Sequence, residues 1–306
     1  MPLKIIFMGT PEFAVPILKS IQNSEHKILC VYTQPAKKKD RGLKINSSPI
    51  QIYCEKTGLQ YRCPEELNNE ELFYLESLKP DVVIVVAYGK IIPNQMLEKK
   101  EIQFINIHAS LLPKWRGAAP IQRSLINLDQ ETGISIMKII PKLDAGPIMM
   151  QSKIKIDSNS NYKNLYNKLS ILSANKILDA LKLIENKEEK FVPQIDQEAT
   201  YAKKIEKIET KINWKESAET ILAKIRAFNP TPGSWFDLDG SRIKVFKATE
   251  VQKKGNPGEI LSSEFVVACG KNAIKIIELK KEGKKKMAIS EFLKGTKIKI
   301  GKNVNK

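Results

Sequence analysis

The chain is poor in the residues that build metal centres and disulfide frameworks. Of its 306 residues, 4 are cysteine and 2 are histidine. Cys30, Cys54, Cys63 and Cys269 are scattered, with no C-x-x-C pair, so no metal site is expected. No apolar run approaches the roughly 20 residues of a membrane helix, and no membrane partner is expected. The start, MPLKIIFMGT, enters a strand directly and lacks the three regions of a signal peptide. A cytoplasmic protein is the expectation, and there a structural disulfide is unusual. The G-x-G-x-x-G fingerprint is missing too: the first strand, Lys4–Thr10, is followed by Pro11 and brings only Gly9, which disfavours a dinucleotide site.

Acidic residues are also in short supply. Asp and Glu number 34 against 51 Lys and Arg, a net charge of +17. A polyanion such as nucleic acid fits that balance, although an AT-rich genome would favour Lys and Asn by itself. Placement weighs more than the total. Residues 1–203 carry 28 basic and 22 acidic side chains, and residues 204–306 carry 23 and 12. The final third is therefore expected to hold a nucleic-acid surface.

What is present begins with alternating strands and helices. Lys4–Thr10, HKILCVYTQ and Val82–Ala87 read as strands, the last apolar on both faces as a buried parallel strand should be. Thr10 is expected to cap the helix that follows the first strand, with Pro11 in its first turn. A basic loop, Pro35–Pro49, contains Lys37, Lys38, Lys39, Arg41 and Lys44. Ser48-Pro49 opens a further helix. Leu165, Leu169, Leu172, Ile177, Leu181 and Ile184 recur at helical spacing through Tyr162–Ile184 and are read as core.

One stretch organises the rest: FINIHASLLPKWRGAAP, Phe104–Pro120. Ile105 and Ile107 alternate with Asn106 and His108, so the two polar side chains share one face of a strand. They stand at its carboxyl end, where open α/β sheets place their ligands. Gly117, Ala118 and Ala119 are expected to open a helix. Taken alone, an Asn-x-His pair is no more than a strand ending, and Asp144 in Leu143–Gly146 (LDAG) no more than a turn residue.

Together, the two stretches resemble the formyltransferases that use 10-formyltetrahydrofolate. The long form, SLLPKWRGAAPIQ, resembles the methionyl-tRNA formyltransferase branch, and the likeness runs through GISIMKI, LDAGPI and RAFNP (Arg226–Pro230). The resemblance implies three catalytic residues, Asn106, His108 and Asp144. It implies folate binding by Ser110, Leu111, Leu112 and Pro113 and by the loop Ala87, Tyr88 and Gly89. It implies tRNA contacts by Arg41, with Lys37, Lys38, Lys39 and Lys44 around it. Arg41-Gly42 matches the family's loop, whereas Lys37–Asp40 replaces its usual Gly/Arg-rich run. Lys114 and Arg116 are left between the folate tail and the tRNA terminus.

Formyl transfer has simple chemical needs. The attacking amine must be neutral, the formyl oxygen must be stabilised as it gains charge, and protons must move. Asn106 can donate to that oxygen, His108 can add a second donor, and Asp144 against His108 can favour the imidazolium and relay protons. No Ser or Cys stands in a nucleophile motif, so no acyl-enzyme is needed.

Beyond Glu185 the chain turns polar and reads as a linker. Short alternating segments follow, at Trp235–Leu238, Ile243–Lys247, Gly258–Leu261, Phe265–Ala268 and Ile274–Glu278, with Asp239-Gly240 as a hairpin turn. Lys280, Lys281, Lys284, Lys285 and Lys286 form a basic loop. The expected fold is α/β: a Rossmann-like, doubly wound catalytic domain over 1–190, a linker over 191–205, and an OB-like β-barrel domain over 206–306 that binds tRNA. The expected reaction moves a formyl group from 10-formyltetrahydrofolate, a co-substrate, to initiator methionyl-tRNA, in a monomer. A formyltransferase for glycinamide ribonucleotide or an amino sugar nucleotide is the rival enzyme. A non-catalytic tRNA-binding module is the rival outside enzymology.

Overall fold

A computed structural model gives the protein's structure over residues 1–39, 44–99 and 101–304. The strands are β1 (Lys4–Gly9), β2 (Lys27–Tyr32), β3 (Lys37–Lys39), β4 (Lys44–Asn46), β5 (Tyr61–Arg62), β6 (Val82–Val86), β7 (Gln103–His108), β8 (Arg116–Gly117), β9 (Glu131–Lys138), β10 (Ile148–Lys155) and β11 (Tyr201–Ala202). They continue as β12 (Ser234–Leu238), β13 (Ser241–Val251), β14 (Ile260–Ser262), β15 (Val266–Ala268), β16 (Ala273–Lys281) and β17 (Met287–Ala288). The α-helices are α1 (Val15–Gln22), α2 (Pro49–Thr57), α3 (Asn69–Ser77), α4 (Asn94–Leu97), α5 (Pro120–Ile126), α6 (Tyr162–Asn186), α7 (Ala218–Ala227) and α8 (Ile289–Lys294).

Two compact units result. The first is residues 1–117, 131–154 and 166–202; the second is 118–130, 155–165 and 203–306. In the first, seven strands lie in the order β10-β9-β7-β6-β1-β2-β5. Strands β7, β6, β1, β2 and β5 run parallel, and β9 is antiparallel to β7. This is the doubly wound, Rossmann-like sheet. All five residues of β6 are buried, as a central parallel strand covered on both faces requires. Each such Val or Ile contributes roughly 1.5–3 kcal/mol relative to exposure.

Helix starts follow local chemistry. Ser48 caps α2, its Oγ accepting from the Gln51 amide at 2.9 Å with Pro49 at N1. Thr10 differs from expectation. It caps nothing: its hydroxyl donates to the Tyr88 carbonyl at 2.8 Å, and the chain enters a short 3-10 turn, Glu12–Ala14, before α1. The competing acceptor is supplied by the neighbouring strand end, a partner 78 residues away. Gly9 is required there, since a Cβ would stand 2.7 Å from the Phe7 ring and 3.0 Å from the Ala14 Cβ. Helix α5 begins at Pro120, not Gly117. Residues 116–117 instead pair in parallel with Tyr201–Ala202.

The second unit carries an antiparallel sheet, β12-β13-β16-β15-β14, with β17 on β16. Asp239 and Gly240 both take positive φ, 53° and 72°, and close the β12–β13 hairpin at Leu238↔Ser241. Register shifts around Lys247 bend β13, and the sheet curls over a core that includes Trp214, Ile225, Phe236, Phe265, Ile276 and Phe292. This is the expected OB-like domain. Among the described residues no helix is long and apolar enough to cross a membrane.

Candidate active site

Strand β7 ends with Asn106 and His108 on one face. Asn106 lies opposite Val85 of β6 and Met137 of β9, and His108 lies opposite Ser135. The Asn106 side chain is half-buried and makes no hydrogen bond among the described residues. His108 is 7% exposed. Its Nε2 is 2.8 Å from the Trp115 carbonyl oxygen. A carbonyl oxygen only accepts, so Nε2 carries a hydrogen. Nδ1 faces the Asp144 carboxylate, 3.6 Å from Oδ2.

Asp144 is brought in by the loop between β9 and β10. Its φ is 45°, a left-handed conformation that Asp adopts more readily than most residues. The Gly117 amide donates to Oδ2 at 2.8 Å, while Oδ1 makes no hydrogen bond among the described residues. Gly117 has φ 119°, and a Cβ there would lie 2.9 Å from the Ala202 carbonyl oxygen. Gly146 is still more constrained, since its Cβ would fall 1.7 Å from the Lys138 carbonyl oxygen. The spacing in LDAG thus has a steric reason as well as a chemical one.

The SLLP segment is held from inside. Ser110 is fully buried, and its Oγ donates to the Lys114 carbonyl at 2.6 Å. Ser135, also fully buried, donates to the Ser110 carbonyl at 2.7 Å and accepts from the Leu112 amide at 3.0 Å. Gln151 donates to the Leu112 carbonyl at 2.8 Å and to Ser135 Oγ at 2.9 Å. Leu112 is buried, whereas Leu111 and Pro113 are half-buried and present side-chain surface. At the end of β6, Ala87 and Gly89 are exposed with φ of 47° and 80°. The Tyr88 ring is buried in the core, and burial pushes its hydroxyl pKa up. Its carbonyl accepts from Thr10 and Gln34. Backbone at 87 and 89, rather than the Tyr88 side chain, faces outward beside Asn106.

Arg116 departs from the surface cation that the sequence suggests. Its guanidinium is fully buried and leaves no surface open to solvent. It donates to Gln194 Oε1 at 3.0 and 2.9 Å and to Asp196 Oδ1 at 2.8 Å. Lys142 also pairs with Asp196. These two cations, Lys142 first, hold the Asp196 carboxyl below its ordinary pKa of 3.8. The polar stretch after α6 is part of this site. Val192 exchanges backbone hydrogen bonds with Ile148, the Trp115 amide donates to Thr200 Oγ1 at 2.9 Å, and the Arg116 amide donates to the Thr200 carbonyl at 2.9 Å. Sequence reasoning missed Ser135, Gln151, Gln194 and Thr200, whose partners lie 16 to 85 residues away.

Of the basic loop, β3 and β4 form an antiparallel hairpin with Lys39 opposite Lys44. Lys37, Lys38, Lys39 and Lys44 therefore lie on its two strands, and Arg41 lies outside the described residues. In the second unit, the Trp235 ring carries the Arg242 guanidinium at 4.0 Å and the Lys211 ammonium at 5.5 Å. Lys280, Lys284 and Lys285 are exposed. Among the described residues no three His, Cys, Asp or Glu side chains gather as a metal ion would need.

Comparison with known proteins bears on this geometry. Residues 3–181 match the family model described as Formyl transferase, and residues 204–297 match Formyl transferase, C-terminal domain. A methionyl-tRNA formyltransferase of Pelagibacter ubique is 50% identical over 307 residues, covering 99% of this chain and 99% of that protein. Another, of Caldanaerobacter subterraneus, is 42% identical over 307 residues, covering 98% and 99%. A solved N-formyltransferase of Helicobacter canadensis, in complex with folinic acid and dTDP-3-aminofucose, shares the fold. Its TM-score is 0.69 at 21% identity, over 90% of this chain and 99% of that one. The likeness extends through both units and across the strand end that carries Asn106 and His108: the chain belongs to the formyltransferase family.

Proposed function

We propose that this chain transfers the formyl group of 10-formyltetrahydrofolate to the α-amino group of methionine on initiator methionyl-tRNA, with Asn106, His108 and Asp144 as catalytic residues. The observation that carries the reading is the meeting of His108 Nδ1 and Asp144 Oδ2 at 3.6 Å beside an uncommitted Asn106 amide. The full-length relatives bear the name of that reaction.

The residues present fit a folate donor. Asn106 offers a neutral donor that no group among the described residues satisfies, and Leu111, Pro113, Ala87 and Gly89 present apolar and backbone surface. When bound, the donor would supply the formyl carbon: the amine nitrogen bonds to it, the bond from that carbon to the folate nitrogen N10 breaks, and the proton lost by the amine is balanced by one gained at N10. Asn106 then donates to the oxygen as it gains charge; one such donor is worth about 2.7–4 kcal/mol of barrier. His108 Nε2–H passes to that oxygen only when its contact with Trp115 opens, so Asn106 is the donor that needs no rearrangement. Asp144 keeps Oδ1 free for a proton from the amine, while the Gly117 amide holds its other oxygen, which faces His108 Nδ1.

Recognition of the tRNA falls to the basic residues Lys37, Lys38, Lys39, Arg41 and Lys44 and to the positive surface of the second unit. We assign the enzyme to the cytoplasm as a monomer. The deciding experiment follows label from 10-formyltetrahydrofolate to charged initiator tRNA, with glycinamide ribonucleotide and an amino sugar nucleotide alongside. Label on the tRNA alone is expected; label on either small molecule in its place overturns the reading.

A further inference from the structure

We propose that Gln194 is a positioning residue for the reaction: its amide ties the carbonyls of Asp144 and Gly146 to the buried guanidinium of Arg116, and so holds the Asp144 carboxylate against His108. The proposal rests on the catalytic reading of Asp144 given above.

The strong hydrogen-bonding capacity of this amide is fully used, with the Met137 sulfur 3.8 Å from Nε2 as a further, weak contact. Nε2 has two hydrogens, and it donates to the Asp144 carbonyl at 2.9 Å and the Gly146 carbonyl at 2.7 Å. Oε1 has two lone pairs, and it accepts from Arg116 Nε at 3.0 Å and Nη2 at 2.9 Å. Carbonyls only accept and a guanidinium only donates, so a flipped amide would break all four contacts. The orientation has one solution.

Both ends of this link are unusual. Arg116 places a cation wholly out of water with one carboxylate partner, Asp196, which is itself 55% exposed. Such a pair is a poor way to gain stability, because desolvation consumes much of the attraction. At the other end, Asp144 sits at φ 45° and Gly146 in a space that admits no Cβ. A sparsely populated backbone persists only where its surroundings hold it. Gln194 is the group that joins the rigid end to the constrained one. Released, the loop would carry the carboxylate away from His108, and a displacement of about 1 Å is enough to cost roughly 100-fold in rate.

Two variants separate the functions of the amide. Gln194→Ala removes both grips. Gln194→Glu keeps the grip on Arg116 but turns an oxygen toward two carbonyl oxygens. Both are measured alone and with Asp144→Asn, alongside thermal unfolding. Each single variant is expected to lower kcat about 100-fold with the KM for the formyl donor unchanged. Gln194→Glu, which keeps its contact with Arg116, should lower the melting temperature less than Gln194→Ala. Added to Asp144→Asn, neither should lower activity further, because groups that act through one another are not additive. The same fold-loss in both backgrounds, or Gln194→Glu with wild-type kcat, overturns the proposal.

A second readout needs no substrate. The chain has 2 histidines, so the ring nitrogen resonances of His108 are read against His26 as the internal control. Both variants should shift His108 and leave His26 in place; an unmoved His108 overturns the clamp. A wild-type enzyme that fails to formylate tRNA would instead overturn the proposed function, and the resonance test of the clamp would stand by itself.

Discussion

The two units treat polar groups in opposite ways. In the first, three buried polar residues, Ser110, Ser135 and Arg116, are each held by a partner far along the chain. In the second, the core is apolar and aromatic, and cations such as Lys280, Lys284 and Lys285 lie outside. Polar groups in a low-dielectric interior fix geometry, whereas exposed charges act at range and are screened by salt. The comparison teaches a division of labour: damage to the first unit should appear in turnover, and damage to the second in substrate affinity and its salt dependence.

The largest break should come from Asp144→Asn. Loss of the carboxylate should lower kcat by about 1,000-fold, within the range for a general acid–base group, with tRNA affinity unchanged. Single-turnover transfer and filter binding on one preparation check both halves; parallel loss of binding would erase the contrast between the units. Asn106→Ala should lower kcat by roughly 100-fold, as removal of one oxyanion donor does, again without weakening tRNA. Lys280, Lys284 and Lys285 changed together to Ala should leave kcat alone. The slope of log KM for tRNA against log salt should fall by about 0.7–0.9 per lost phosphate contact. A turnover defect there would contradict the division.

The smallest effect concerns acid. Asp196 has its pKa lowered in the folded protein, mainly by Lys142 and then by Arg116. A lowered folded-state value means that its contribution is complete above the ordinary 3.8 and disappears as pH falls through the folded value. Amide hydrogen exchange at Thr200 and Ala202 should therefore keep its protection from neutral pH down to about that point and lose it only below. Loss of protection near pH 6 would assign the hold on the polar stretch after α6 to other forces.

Much of the fold was legible because it obeys short-range rules. The alternation in β7 puts Asn106 beside His108, the run in β6 marks a central strand, and Asp239-Gly240 closes a hairpin between neighbours. What was not legible depends on pairs with no local period. Arg116 looks like a surface cation in KWRG, and only the arrival of Gln194, 78 residues later, turns it inward. Thr10 looks like a cap until Tyr88 offers a better acceptor. Ser135 was visible only as a polar residue between Ile134 and Ile136, a pattern that signals burial but not the identity of its partners. Residues 191–205, polar and interrupted by Pro193, resemble a tether in composition; their backbone hydrogen bonds to Ile148 and Arg116 have no compositional trace.

The parallel pairing of β8 with β11 carries a consequence for biosynthesis. Asn106, His108 and Asp144 all precede Gln194 and Thr200 in the order of synthesis. A polypeptide ending near residue 190 would carry all three proposed catalytic residues, yet it would lack the strand that pairs with β8 and the amide that ties the Asp144 loop.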